Sequence, residues 1–92
     1  MTGDTHRRTV TITSPHGLHL RPISQFVELA NRYQCDVSVS KGPQRVNGKS
    51  AINLLGLAAT LGTQLDLEVT GPDATQAIDP LAEALARVFP DD

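Results

Sequence analysis

The sequence predicts an α+β protein: an open-faced, two-layer sandwich in which three helices cover one face of a four-stranded, mostly antiparallel sheet. Three observations lead there. Four segments alternate apolar and polar residues with a period of two, each with one apolar face. Three others place apolar residues three and four apart, the spacing of a single stripe on a helix. Their order is β-α-β-β-α-β-α, so four one-sided strands need a cover and the amphipathic helices supply it.

Thr9-Val10-Thr11-Ile12-Thr13 alternates strictly, with Val10 and Ile12 on one face, and predicts the first strand. Ser14-Pro15-His16-Gly17 has loop composition. From Leu20 to Arg32 the period changes, and Ile23, Phe26, Val27 and Ala30 form one stripe. Cys35, Val37 and Val39 then alternate with Asp36, Ser38 and Ser40, which places the cysteine inward as a small apolar residue. Lys41-Gly42-Pro43 turns the chain into a short third strand, Gln44 to Asn47.

Ser50 is placed to cap a brief helix carrying Ile52, Leu54, Leu55 and Ala58, with Gly56 limiting its length. Leu65, Leu67 and Val69 alternate as a fourth strand, broken at Gly71-Pro72. Asp73 followed by Gln76 has the spacing of a capping box, and Ile78, Leu81, Leu85 and Val88 line a last helix. Pro80 within it predicts a kink, or a restart with Asp79 as the cap.

The chain has 92 residues, enough for one domain that buries roughly 60–65% of its unfolded surface. We expect a loose N-terminal tail over residues 1–8 and a single domain over 9–90. The formal charge is −2 and aromatic residues number three, which argues against nucleic acid as a partner. One cysteine excludes an internal disulfide. No apolar run approaches the ~20 residues of a membrane span, so no membrane insertion is expected and the expected location is cytoplasmic. Nothing in the pattern suggests an oligomer, so a monomer is expected.

Residues 16 to 22, His16-Gly17-Leu18-His19-Leu20-Arg21-Pro22, carry the chemistry. They lie where the alternating pattern gives way to the helical one, so His19 falls on or beside the first residue of a helix. Proline is tolerated in that turn because its missing N–H would have been unpaired anyway. The free N–H groups and the helix dipole favour an anion there. Arg21 is misplaced for the dipole, since cations suit the other end of a helix, but well placed to pair with a bound phosphoryl group. His16 is a candidate neighbour of that group. A metal site built from His16 and His19 is disfavoured, because His6 and Cys35 lack paired spacing with them and no carboxylate is near in sequence. No metal and no cofactor are expected.

At this point the chain resembles the histidine-containing phosphocarrier (HPr) family of the bacterial phosphoenolpyruvate-dependent phosphotransferase system, over about Thr9 to Phe89. The resemblance rests on Gly17-Leu18-His19-Leu20-Arg21-Pro22, on Val46-Asn47-Gly48-Lys49-Ser50 before an apolar helix, and on Gly62-Thr63 through Gly71-Pro72. It implies a carrier with a transient phosphohistidine and no turnover of a free substrate. His19 would accept the phosphoryl group from Enzyme I and pass it to IIA components of sugar permeases, with Arg21 assisting. It also maps a kinase-targeted serine onto Ser50, served by an HPr kinase/phosphorylase, and a docking surface onto the helices after His19 and Ser50. Leu20, Val27, Ile52 and Leu55 are the docking candidates. The alternative keeps the fold but makes the protein a regulatory module, nitrogen-type or kinase-controlled, not coupled to sugar uptake.

Overall fold

Strand β1 spans Asp4–Thr11, and helix α1 spans Leu20–Ala30. Strands β2 (Asp36–Lys41) and β3 (Gln44–Asn47) follow, then α2 (Ala51–Leu55), β4 (Gln64–Gly71) and α3 (Ala74–Ala86). The computed structural model describes residues 4–13, 20–57 and 59–86, with residues 20–22 given by their backbone alone. The strands form one sheet in the order β1-β4-β2-β3, and β1–β4, β4–β2 and β2–β3 are all antiparallel.

That order interleaves two crossovers. β1 and β2 run parallel with β4 between them, and β3 and β4 run parallel with β2 between them. Connections of this kind are right-handed in nearly all proteins. The second unit is the first turned half a revolution in the plane of the sheet, so the rule sends α1 and α2 to the same face. α3 joins them, packed against β1, β4 and α1. The expected open-faced sandwich is the one observed.

The sheet's two faces follow the period of two. Val10, Val37, Val39, Leu65, Leu67 and Val69 are buried under the helices with Ile23, Phe26, Ala30, Ile78, Leu81 and Leu85. The opposite face carries Arg7, Thr9, Ser38, Arg45, Asp66 and Glu68. There Glu68 receives Arg7 at 3.5 Å and Arg45 at 3.0 Å, and Thr9 donates to Asp66 at 3.0 Å. Such exposed pairs contribute little stability, about 0–1 kcal/mol each, but they keep the uncovered face wetted. Between β2 and β3, Gly42 at φ 58 takes the first central position of a two-residue turn. Pro43 follows it at a negative φ, the combination of a type II′ hairpin.

Three expectations need correction. Residues 4–8 are not a tail: Asp4 to Arg8 pair with Gly71 to Leu67 as the first half of β1. Alternation concealed this because the helix-side positions there are polar. His6 Nε2 bonds Thr75 Oγ1 at 3.1 Å and Arg8 Nη2 donates to Asp79 Oδ1 at 3.1 Å, so the edge of α3 is met by polar side chains instead of a core.

The last helix neither ends nor restarts at Pro80. α3 is continuous from Ala74 to Ala86, and Asp79 is spent on Arg8 instead of on a cap. Proline removes one backbone hydrogen bond, but Ala74, Ala77, Ile78, Leu81 and Leu85 are buried along the whole helix and hold both halves to the sheet.

Asp73 and Gln76 do not form a capping box. The Asp73 carbonyl accepts from Gln76 and Ala77, while its carboxylate accepts from the backbone N–H of Gln34 at 2.8 Å. Helix boundaries also shift: α1 ends at Ala30 and α2 at Leu55.

Candidate functional site

α1 opens at Leu20, the residue directly after His19, so Leu20, Arg21 and Pro22 are its first three residues. His16 and His19 lie outside the described residues, as do the side chains of Leu20 and Arg21. The helix behind them is fixed by Ile23, Phe26 and Ala30, all buried, while Val27 is half-buried at the margin of the core.

α2 lies beside α1 and has only five residues, too few to persist alone. Leu54 and, just past its end, Leu57 bury completely and anchor it. Ser50 is its N-cap, accepting from the backbone N–H of Asn53 at 3.3 Å. Two lysines finish the helix ends. Lys41 Nζ donates to the Leu57 carbonyl at 2.7 Å, and Lys49 Nζ donates to the Tyr33 carbonyl at 2.8 Å, just beyond α1. Both contacts are partly buried, and a cation at a helix C-terminus also meets the favourable end of the dipole.

Because Leu54 takes the inward position, its neighbours turn out. Ile52 is 81% exposed, Leu55 42% and Leu61, in the turn before β4, 60%. Three large apolar side chains in one short segment are unusual on a polar surface. Leu61 was not singled out from sequence, although an apolar residue between Thr60 and Gly62 in a turn is a visible signal. The roles of Lys41 and Lys49 were also missed, because a lysine's long stem leaves its partner unspecified by spacing.

Cys35 is buried. Burial, and then the nearby Asp73 carboxylate, push its thiol pKa up, so it stays protonated and unreactive. Among the described residues, no three of His, Cys, Asp and Glu gather as metal ligands would. Among them, too, no helix is long and apolar enough to cross a membrane.

The class of protein is therefore a small antiparallel open-faced sandwich whose helical side presents apolar residues next to a helix that opens directly after a histidine. A family model described as the PTS HPr component phosphorylation site matches residues 6–87. The phosphocarrier protein HPr of Pseudomonas putida is 39% identical over 83 residues, covering 89% of this chain and 92% of that protein. The HPr-like protein Crh of Bacillus subtilis is 37% identical over 76 residues, 83% of this chain and 89% of Crh. A crystal structure of HPr from Bacillus anthracis superposes with a TM-score of 0.82 at 31% identity, over 87% of this chain and 95% of that one. The chain belongs to the HPr family, whose members are phosphocarriers of the phosphotransferase system and not catalysts.

Proposed function

We propose that this chain accepts a phosphoryl group on Nδ1 of His19 from phosphorylated Enzyme I. It passes the group to IIA components of sugar permeases in the phosphoenolpyruvate-dependent phosphotransferase system, working as a cytoplasmic monomer. The observation that carries this reading is the place of the motif: His19 directly precedes the first turn of α1, inside a match to the family over residues 6–87. An ordinary imidazole, with a pKa near 6.5, is largely unprotonated and nucleophilic at neutral pH. Its nitrogen attacks phosphorus, the N–P bond forms as the donor's bond to phosphorus breaks, and the reverse occurs at the acceptor. The N-terminus of α1 stabilises the phosphoryl anion by about 0.3–1 kcal/mol, and Arg21 adds paired donors. His16, three residues before His19 in the sequence, is the candidate for a further hydrogen bond to the group.

Leu20, Val27, Ile52 and Leu55, together with Leu61, form the docking surface for Enzyme I and IIA. Exposed apolar residues on α2 and in the turn before β4, beside α1, suit brief binding to several partners. Ser50 is the regulatory position. A phosphate placed on it by an HPr kinase/phosphorylase puts charge beside Ile52 and Leu55 and weakens docking without unfolding the domain.

The test is labelling from phosphoenolpyruvate and Enzyme I in wild type and His19→Ala. Acid-labile, hydroxylamine-sensitive label in wild type alone supports the carrier; equal label in both variants rejects it. The 37% identity to Crh favours a second reading, a regulatory module read out through its phosphorylation state. That reading expects label from ATP at Ser50 and none from phosphoenolpyruvate.

A further inference from the structure

The oxygen of Ser50 accepts two hydrogen bonds from one residue. The backbone N–H of Asn53 donates to Oγ at 3.3 Å, and the Asn53 side chain donates to the same oxygen through Nδ2 at 2.8 Å. This inverts the usual arrangement at the third helical position, where a Glu or Gln reaches back to the N–H of the cap. Asn is one methylene shorter. The N–H of Ser50 is also taken, donating to the Asn47 carbonyl at 3.2 Å, in a turn where Asn47 Oδ1 accepts from the N–H of Lys49 at 2.9 Å. The Asn53 amide is left the hydroxyl oxygen as its partner.

A serine hydroxyl has two lone pairs, and here both are filled. To be phosphorylated, Oγ must commit a lone pair to the γ-phosphorus of ATP. The new O–P bond forms, the bond from that phosphorus to the ADP oxygen breaks, and the hydroxyl proton leaves to a base on the kinase. One of the two hydrogen bonds must therefore open first. A turn of Ser50 about χ1 gives up both bonds at once, and the cap with them. The side-chain bond opens by a rotation of Asn53, which is exposed. We infer that Asn53 is a positioning residue that holds Ser50 Oγ in its capping role and slows phosphorylation at this site.

The inference rests on the reading of Ser50 as a kinase target, and its test separates the two. The whole chain is incubated with ATP and an HPr kinase/phosphorylase that phosphorylates its own HPr in a parallel reaction. Initial rates are compared for wild type, Asn53→Ala and Asn53→Leu. The leucine keeps the branched outline of asparagine and removes the amide, and both variants keep the backbone N–H, so the cap and the fold persist. Both variants are expected to raise kcat about two- to tenfold, the factor that one neutral hydrogen bond is worth, with KM for the protein unchanged.

Rates equal to or below wild type overturn the role of Asn53. So does acceleration in the alanine variant alone, which would mark a gain of room for the nucleotide. If the active kinase phosphorylates none of the three proteins, Ser50 is not its target and both readings fall. Phosphorylation of the variants with none of wild type is the strongest support.

Discussion

In the proposed relay, Ser50 and Arg21 divide between structure and chemistry in different proportions. Ser50 closes the first turn of α2 through the Asn53 N–H, and a cap of this kind is worth about 1 kcal/mol. Ser50→Ala is thus expected to lower the melting temperature by about 4–8 °C, the shift that 1 kcal/mol produces in a domain this small. Calorimetry of the two proteins checks this, and an unchanged midpoint would show that Leu54 and Leu57 hold α2 without the cap. Arg21 is the opposite case. A cation in the second position of α1 gains nothing from the dipole, so Arg21→Ala leaves melting unchanged or slightly raises it. Its cost appears in the transfer from Enzyme I, slowed by about tenfold or more, as befits losing a charged hydrogen bond worth about 1.5–3 kcal/mol. Rapid-quench transfer kinetics read the effect, and wild-type rates would remove Arg21 from the mechanism.

At the scale of elements, α3 carries a proline in its interior and remains whole. The missing bond is the one from residue 80 to the Gln76 carbonyl, one turn earlier. Pro80→Ala restores that donor and relieves crowding worth about 3 kcal/mol, while giving the unfolded chain some entropy back. A net gain of about 2 kcal/mol is expected in urea unfolding. A variant no more stable than wild type would mean that α3 already accommodates the ring without strain. The same helix shows where sequence reading succeeds and where it stops. Ile78, Leu81 and Leu85 were legible because packing against a sheet imposes their spacing. Continuity through Pro80 was not, since it depends on burial at both ends of the helix, a tertiary effect. The first half of β1 was hidden for a related reason: His6 and Arg8 satisfy the edge of α3 with polar bonds and leave no alternation. Ser50's cap was legible from residue type alone, whereas Asn53's claim on the same oxygen depends on the Asn47 turn that occupies the alternative partner.

Across the whole molecule, apolar side chains divide between two uses. The core takes those on the inner faces of β1, β2, β4 and the three helices, and the uncovered side of the sheet is left to arginines, hydroxyls and carboxylates. The edge strands β1 and β3 carry Arg7 and Arg45, which discourage pairing with another sheet. Ile52, Leu55 and Leu61 fit neither use: they are large, apolar and exposed, within ten residues of each other. Surface substitutions away from packed or capped positions change stability by about 0.5 kcal/mol or less. Ile52→Lys and Leu55→Lys should therefore melt close to wild type, because neither side chain lends much to the core. Docking is a different matter, since a lysine ammonium would have to be desolvated against an apolar partner surface. The expected result is a KM for Enzyme I raised about tenfold, on the scale of a contact worth more than 1 kcal/mol, with little change in the maximal rate of transfer. Paired melting and transfer assays on each variant decide the matter. A large fall in stability would return these residues to the core, and unchanged transfer kinetics with unchanged melting would place the docking surface elsewhere on the molecule.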